Sequence, residues 1–257
     1  MSVLVRIERA KRYPHPVHPR DTAGWDRAAD LKAIQDTYAE YDRTNRARLW
    51  NRNEPGYARL IDELHRRLVA LILSSLPRTG GTVLDLGCGE GDLAVMAASL
   101  GQGSEWIGLD LRPEAIETAR TRFPDLRFMV ASADDVPLAD ASVDVIIARV
   151  LFSSLPSTRL EAAVAAEIGR LLRPGGWLVW LDIRYANPAN PAVHRVSTGR
   201  LAALFPGWTR ELTTAGLVPP LARRLGPTAP IVYPMLAAIP FLRSHLVGRL
   251  SPPAPHE

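Results

Sequence analysis

The sequence predicts an α/β protein built on a doubly wound, mostly parallel sheet. Between about residue 77 and residue 183, apolar runs of strand length alternate with amphipathic runs of helix length, which is typical of βαβ units. The run VDVIIARVLF is apolar on both faces, as a central parallel strand must be. With 257 residues, the chain is long enough to bury a sizeable core around such a sheet.

The elements of the alternating region follow from their local patterns. Pro113 favours the start of a helix, and the apolar stripe from Leu160 to Leu171 gives another helix one buried face. In chain order we predict the strand TVLDLG, the helix DLAVMAASL, the strand EWIGLDL, the helix PEAIETARTRF, the strands LRFMVAS and VDVIIARVLF, the helix STRLEAAVAAEIGRLL, a turn at RPGG and the strand WLVWLDI.

The flanking segments have weaker patterns. Residues 1–24 are rich in Pro, His and Arg without periodicity, which predicts an irregular arm. Apolar residues recur at helical spacing from Trp25, and again after the break at NRNEPGY, which predicts two helices. Beyond Ile183 we predict the loop YANPANPAV, the short helix STGRLAALF, a late antiparallel edge strand in WTRELTTAGLV and the proline-interrupted helical segment IVYPMLAAIPFLRSHLVGRL.

Charge is distributed unevenly along the chain. The net charge is +4, but residues 184–257 hold eight Arg against two Glu, a local +6 that leaves about −2 for the remainder. A basic third attracts anionic substrates, nucleic acids or membrane surfaces. However, the chain has only two lysines, so the arginine excess equally fits a compositional bias.

The sequence predicts a cytoplasmic protein. Cys88 is the only cysteine, so an internal disulfide is excluded and nothing points to an oxidising compartment. Charges interrupt the apolar run at the N-terminus, which therefore lacks the pattern of a signal peptide. The uncharged stretch TAPIVYPMLAAIPFL is too short to span a bilayer and contains three prolines.

The stretch VLDLGCGEGD places Gly87, Gly89 and Gly91 directly after a strand. Glycine lets a ligand approach the backbone closely at the carboxyl end of a parallel strand. The dinucleotide fingerprint requires glycine at its sixth position, where this chain has Asp92, and an acid at a helix start disfavours a pyrophosphate. No Gly-Lys-Ser/Thr follows, so the Walker pattern also fails. The pattern disfavours NAD and leaves a nucleoside-like ligand without phosphates.

Asp110 fits that ligand. It ends the second predicted strand, 19 residues after Gly91, and an acid at about this distance accepts hydrogen bonds from ribose hydroxyls in nucleotide-binding α/β sheets. The two oxygens of one carboxylate can accept both donors of a vicinal diol. The sequence therefore predicts a ribose-binding acid at Asp110.

Four segments in this order resemble the class I S-adenosylmethionine-dependent methyltransferases, closest to the small-molecule, methyltransferase type 11/25-like branch. They are VLDLGCGEGD, IGLDLRPEAIETAR, ASADDVPLADASVDVII and LLRPGGWLVWLD, and the resemblance covers roughly residues 55–183. It implies a Rossmann-like sheet of strand order 3-2-1-4-5 with an added antiparallel pair. It also implies an N-terminal helical lid and S-adenosylmethionine as cofactor.

The resemblance implies which residues meet the cofactor. Asp85 would hold its ammonium group, often through water, and Asp110 its ribose. Relatives often carry Asp where this chain has Ser132, so the acceptor for the adenine amino group stays open among Ser132, Ala133 and Asp134. The full set of implied cofactor contacts is Asp85, Gly87, Cys88, Gly89, Gly91, Asp110, Leu111, Ser132, Ala133, Asp134, Arg149 and Tyr41.

Three residues are candidates for the chemistry. His194, in the loop after the last parallel strand, is the candidate general base because histidine titrates near neutrality. Arg149, at a strand end, reaches the cofactor or an anionic acceptor, or else pairs with a neighbouring acid. Tyr38 lies one helical turn from Tyr41 on the expected lid, and the two either touch the ligands or pack in the core. No metal site is expected.

These features predict transfer of a methyl group from S-adenosylmethionine to a small molecule, at oxygen, by in-line displacement. A natural product, a glycosylated intermediate or a quinone-like acceptor fits. The alternatives are an RNA or protein methyltransferase, and a non-catalytic cofactor-binding protein. We expect no nucleic-acid partner, and peripheral membrane contact and homo-oligomerisation stay open. The predicted divisions are an arm (1–24), a helical lid (25–76), a cofactor core (77–183) and a substrate-side extension (184–257).

Overall fold

The computed structural model describes residues 24–44, 53–100, 103–186 and 190–253. Nearly all of the predicted arm and the last four residues of the chain lie outside these ranges. The α-helices of the described residues are α1 (Arg27–Arg43), α2 (Pro55–Ser75), α3 (Pro113–Arg122), α4 (Thr158–Leu171), α5 (Thr198–Leu204), α6 (Pro219–Arg223) and α7 (Ala229–Ala237). Short 3-10 helices lie at Ala94–Ser99, Phe152–Ser154, Gly226–Thr228 and Pro240–Leu242.

The strands form one twisted sheet whose order confirms the doubly wound prediction. They are β1 (Thr82–Leu86), β2 (Glu105–Asp110), β3 (Arg127–Val130), β4 (Val143–Arg149), β5 (Leu172–Ile183), β6 (Thr209–Leu217) and β7 (Arg243–Ser251). The order across the sheet is β3-β2-β1-β4-β5-β7-β6. The first five strands are parallel, and β7 pairs antiparallel with β5 and β6. The order reverses between β1 and β4, and a crevice for ligands opens outside the carboxyl ends of strands at such a point.

The core lies on both faces of the sheet. On one face the apolar stripe of α2 packs with Val83, Val145 and Val179. On the other face the stripe of α4 packs with Leu84 and Ile146. Successive residues of a strand point to opposite faces, so a strand covered on both sides must be apolar throughout. This explains the uninterrupted apolar runs in the sequence.

Local signals fix where several helices begin. Ser157 caps α4 by accepting a hydrogen bond from the Leu160 N–H at 3.1 Å, and Ser197 caps α5 by accepting one from the Arg200 N–H at 3.1 Å. Pro113 occupies the first turn of α3, where its missing N–H costs nothing. Each of these helices follows a parallel strand, β2, β4 or β5, so its amino end lies toward the carboxyl edge of the sheet.

The prediction of an α-helix at DLAVMAASL is wrong in type. The segment forms turns and then a 3-10 helix over Ala94–Ser99. The three glycines before it all have positive φ, so right-handed backbone geometry resumes only after Gly91. The apolar side chains of Leu93, Ala94 and Met96 are nevertheless buried.

Two further segments differ from prediction. RPGG lies within β5 as a wide bulge, because the pairing steps from Val143–Leu172 directly to Val145–Trp177. The C-terminal helical segment ends at Ala237, and RSHLVGRLS instead forms β7, which inserts between β5 and the predicted edge strand β6. Gly248 permits this insertion, since a Cβ there would lie 1.9 Å from the Glu211 carbonyl oxygen. None of the described helices is long and apolar enough to cross a membrane.

Gly248→Ala is expected to destabilise the sheet because its methyl group would collide with the backbone of β6. Overpacking of this kind costs about 2 kcal/mol or more, which lowers Tm by roughly 5 °C or more in a chain of this size. Gly169→Ala is the matched control. Gly169 lies within α4, and a Cβ at this position would make an ordinary 3.8 Å contact with Trp208. Thermal unfolding followed by circular dichroism checks both. Equal Tm values for the wild type and Gly248→Ala would contradict the insertion of β7.

Candidate functional site

The glycine loop follows β1 directly and is fixed to the end of β2. Gly87, Gly89 and Gly91 have φ values of +77°, +55° and +77°, which residues with side chains rarely adopt. The N–H groups of Gly87 and Cys88 both donate to the Leu109 carbonyl oxygen, each at 2.8 Å. The loop therefore holds bare backbone at the crevice between β1 and β4.

Asp85 is a buried carboxyl group in β1 with an unmet hydrogen-bonding requirement. It is 1% exposed, and its Oδ2 has no hydrogen-bond partner among the described residues. Burial raises the pKa of Asp85 to about 7, although the positive charge of Arg149 opposes the rise. A buried polar atom normally has a partner, and a buried carboxylate is best satisfied by a cation that also donates. An ammonium group meets both requirements.

Asp110 ends β2, and both of its carboxylate oxygens already accept hydrogen bonds. Oδ2 accepts from the Gly89 N–H at 2.8 Å, and Oδ1 accepts from the backbone N and Nε of Arg112 at 3.0 and 3.3 Å. The Arg112 guanidinium carbon lies 4.1 Å from the centre of the Tyr38 ring. A carboxylate offers about four acceptor sites. A ribose diol must therefore use the remaining sites or displace the Arg112 side chain.

Helix α1 lies across the carboxyl edge and is attached to the segments that follow β3, β4 and β5. The contacts are Arg27 Nε and Nη2 to Asp134 Oδ2 and Oδ1 at 2.5 and 3.0 Å, the Ser157 hydroxyl to Asp30, and the Tyr41 hydroxyl to Asn190 Oδ1 at 2.9 Å. The Tyr38 side chain is half-buried, and desolvation raises its pKa. The helix is thus positioned to cover a ligand bound in the crevice.

Residues 132–134, which are predicted to border the adenine, contact α1. The Ser132 hydroxyl donates to Asp134 Oδ1. Burial raises the pKa of Asp134, but the hydrogen bonds from Arg27 and Ser132 outweigh burial and hold it below its usual range. Leu111, which follows β2, and Ala133, which is next to Ser132 in the chain, are both half-buried. Asp134 therefore already accepts hydrogen bonds from α1. The adenine contacts stay a prediction for residues 132–134 as a whole.

Arg149, at the end of β4, lies near two acidic side chains, and Cys88, in the loop after β1, is buried. Arg149 Nη2 lies 3.8 Å from Asp92 Oδ2, and its charge also acts on the buried Asp85. Both alternatives for Arg149, an ion pair and a ligand-facing cation, are thus compatible with its position. The Cys88 side chain is buried, and burial raises the pKa of its thiol well above the usual range. A thiol so protonated packs as a small apolar residue rather than acting as a nucleophile.

His194 belongs to a cluster in which the carboxylate of Glu161 contacts both His194 and Arg200. Its Nε2 lies 2.7 Å from Oε1 of Glu161, a residue of α4 that is 3% exposed, and Arg200 Nε donates to Oε2 of the same carboxylate at 2.6 Å. The His194 N–H donates to the Ser153 carbonyl at 2.9 Å, which places the loop at the end of β4. The three side chains line a cavity of about 380 Å³ together with Leu155, Pro156, Ser157, Thr158, Arg195 and Ser197.

Sequence reasoning missed Arg112, Glu161 and Arg27. Glu161 had a detectable signal, since it is the acid beside the apolar stripe at the start of α4, where a carboxylate also favours the helix dipole. Arg112 and Arg27 had none, because their contacts depend on side-chain direction and on where α1 docks. Within the described ranges, no group of three or more His, Cys, Asp or Glu side chains is arranged to hold a metal ion.

Arg27→Ala is expected to loosen α1. The substitution leaves the buried carboxylate of Asp134 without its bidentate partner, and we expect a cost of about 1 kcal/mol because Arg27 is partly exposed, equivalent to about fivefold faster opening. Hydrogen exchange of the α1 amides measures this directly. Lys32→Ala is the control, because among the described residues Lys32 pairs only with Asp36, on the exposed face of the same helix. Exchange that is unchanged by Arg27→Ala would show that this pair does not hold the lid.

Comparison with known proteins places this geometry in a family. Residues 83–176 match the family described as a methyltransferase domain. The chain is 32% identical over 185 residues to trans-aconitate 2-methyltransferase of Methylobacterium radiotolerans, covering 70% of this chain and 65% of that protein. It is 34% identical over 113 residues to ribosomal protein L11 methyltransferase of Cupriavidus metallidurans, covering 44% of this chain and 35% of that protein. The chain thus spans less than two thirds of either relative.

The fold is also shared with solved structures. Phosphoethanolamine N-methyltransferase 1 of Haemonchus contortus, solved with phosphoethanolamine and S-adenosylhomocysteine, superposes with a TM-score of 0.62 at 16% identity, covering 93% of this chain and 52% of that one. At that identity the likeness concerns the fold alone. The glycine loop, the strand order and the sequence matches agree in supporting a class I S-adenosylmethionine-dependent methyltransferase, with the family match confined to residues 83–176.

Proposed function

We propose that this chain transfers the methyl group of S-adenosylmethionine to a small-molecule acceptor, at an oxygen atom. The observation that carries the cofactor assignment is the buried Asp85 oxygen without a partner, next to a loop of bare glycine backbone. The cofactor is a sulfonium ion with an amino acid end and a nucleoside end. Its ammonium group satisfies Asp85, and its amino acid end fits beside the loop.

Residues at the ends of three strands would each contact a different part of the cofactor. The backbone of Gly87 and Gly89 would face the methionine part, and Asp110 would accept from the ribose hydroxyls. The segment 132–134 would border the adenine, with Leu111 packed on the ring. When bound, S-adenosylmethionine supplies an electrophilic methyl group with a good leaving group. The protein's task is then to align the acceptor with that methyl group and to exclude water.

The cavity that contains His194 is the proposed acceptor side. It lies between the segments that follow β4 and β5, and acceptors are expected at these carboxyl ends in a doubly wound sheet. Glu161 orients the His194 ring as a carboxylate orients the base in other catalytic pairs. We propose that His194 accepts the proton of a hydroxyl acceptor. The exposed Arg195 and the neighbouring Arg200 favour an acceptor with negative charge.

The similarity to trans-aconitate 2-methyltransferase supports a small acceptor, because it extends over 70% of this chain and beyond the cofactor-binding segment. A second candidate is methylation of a protein or an RNA. The similarity to ribosomal protein L11 methyltransferase and the excess of arginine after residue 183 favour it. That similarity covers only 44% of the chain. The small-molecule proposal therefore has the broader support.

His194→Gln is expected to lower kcat for hydroxyl acceptors by about a hundredfold, because general-base catalysis typically contributes 10²–10⁴. Transfer of tritium from labelled S-adenosylmethionine is measured against a panel of phenols, sugar alcohols and carboxylic acids, with bulk RNA and ribosomal protein L11 in parallel. A carboxylate acceptor needs no base, so its kcat should be nearly unchanged by the substitution. Lys32→Ala is the control. Label found only in RNA or protein would refute the small-molecule proposal, and an undiminished hydroxyl rate would refute the base.

Cofactor affinity is expected to rise with pH. The free protein holds Asp85 protonated below its pKa of about 7, and the cofactor ammonium pairs with the ionised form. Binding below pH 7 must therefore release a proton, and Kd should fall about tenfold from pH 6 to pH 8 by linkage. Calorimetry with S-adenosylhomocysteine in buffers of different ionisation enthalpy measures both effects. Asp85→Asn should bind more weakly with no pH dependence, and an equal pH dependence in wild type and Asp85→Asn would assign it to another group.

A further inference from the structure

The connection between β6 and β7 has an apolar outer face. No charged residue occurs from Thr228 to Leu242. Three large side chains protrude from it, Ile231 at 72%, Met235 at 67% and Phe241 at 70% exposure. The exposed residues between them are also uncharged, and the set that we call the apolar face is Pro230, Ile231, Pro234, Met235, Ala238, Pro240 and Phe241. Several large exposed apolar side chains on one uncharged segment mark an interaction site more often than a single exposed residue does.

This apolar face lies at the same edge of the sheet as the glycine loop. β7 begins beside the end of β6, with Arg243 opposite Leu217, and its third residue, His245, pairs with Ile183 at the carboxyl end of β5. The chain between β6 and β7 therefore occupies the carboxyl edge. The Tyr185 hydroxyl, just after β5, donates to the Phe241 carbonyl at 2.9 Å.

Helix α6, which precedes the apolar face in the chain, packs on the start of α2. Arg223 of α6 stacks on the Tyr57 ring, with 4.1 Å between its guanidinium carbon and the ring centre. Tyr57 is buried at the start of α2 and lies within the electrostatic reach of Arg149. Arg149 in turn acts on Asp85. The segment that leads to the apolar face is therefore held against the first turn of α2.

Arginines surround the face. Arg184 donates to the Pro240 and Arg243 carbonyls, and Arg243 donates to the Ala237 and Ala238 carbonyls, so both fix the segment while remaining cationic. Neither they nor the exposed Arg224 pairs with a carboxylate in the described parts of the chain. On the α2 side, three arginines outnumber two acids around a cavity of about 340 Å³ that reaches Pro234 and Ala237; they are Arg59, Arg66 and Arg67 against Asp62 and Glu63.

We propose that the apolar face and its arginines form a docking surface for an anionic lipid bilayer. Protruding apolar side chains enter the boundary between headgroups and acyl chains, while arginines beside them meet the lipid phosphates. A second copy of this chain fits less well. Two-fold pairing would bring the same arginines together, and a stable interface needs about 1,200 Å² or more, beyond what three side chains on one short segment cover.

Docking in this way turns the carboxyl edge of the sheet toward the bilayer. Molecules dissolved in the membrane would then reach this edge without transfer through water. The inference goes beyond the proposed methyl transfer and does not depend on it, because binding to vesicles is measured without turnover.

The test is co-sedimentation of the full chain with vesicles of phosphatidylcholine alone and of phosphatidylcholine with phosphatidylglycerol. We expect partition into the anionic vesicles that weakens with salt. Ile231→Asp and Phe241→Asp should each reduce it at least tenfold, and Arg224→Ala several-fold. Leu73→Asp is the matched control, since Leu73 is an exposed apolar residue near the far end of α2. Circular dichroism and S-adenosylhomocysteine binding confirm that each variant is folded.

Three outcomes would overturn the proposal. The first is no partition of the wild type into either kind of vesicle. The second is equal partition of the wild type and Ile231→Asp. The third is a wild-type dimer on size-exclusion chromatography that Ile231→Asp converts to a monomer, because a second copy would then be the occupant of the face. Loss of vesicle binding in Ile231→Asp and Phe241→Asp, with Leu73→Asp unchanged, supports the bilayer.

Discussion

Two hydrogen bonds from the glycine loop to the Leu109 carbonyl hold the site together. They fix the turn after β1 to the end of β2, and the Gly89 N–H adds a third bond to the Asp110 carboxylate. This attachment places Asp110 beside the bare backbone of the loop and the buried Asp85. All of these groups are positioned by parallel strands that end at one edge, so the sheet, rather than any flexible loop, sets the geometry for the cofactor.

Polar contacts are prominent in how α1 covers this edge. Of its residues only Tyr41 is buried, and the helix is fixed to three loops by an ion pair and two hydrogen bonds. An element with little buried apolar surface opens at low free-energy cost. The same helix carries Tyr38, which stacks on the Arg112 side chain that occupies Asp110. A ribose that displaces the Arg112 side chain from Asp110 must therefore also disturb its stacking on Tyr38 of α1.

The parts of this site that follow local rules could be predicted from the sequence. Gly87 and Asp110 are fixed by strand ends and by spacing, and the alternating patterns predict the strands from β1 to β5 in their correct order. The Glu161–His194 pair could not be predicted, since its members are 33 residues apart and meet only when α4 and the loop after β5 pack. The position of β7 could not be predicted either, because its apolar pattern continues that of α7. The place of a strand in the sheet depends on which strands leave an edge unpaired, and the sequence does not show this.

The central claim is that this edge binds S-adenosylmethionine through the carboxylate of Asp110. The most direct test is calorimetric titration of S-adenosylhomocysteine into the wild type and into Asp110→Asn, with circular dichroism as the measure of folding. We predict micromolar binding to the wild type and a loss of at least about tenfold in Asp110→Asn, since one hydrogen bond to a charged acceptor contributes about 1.5–3 kcal/mol. Well-folded wild-type protein that gives no heat of binding, or equal affinity in the variant, would contradict the account.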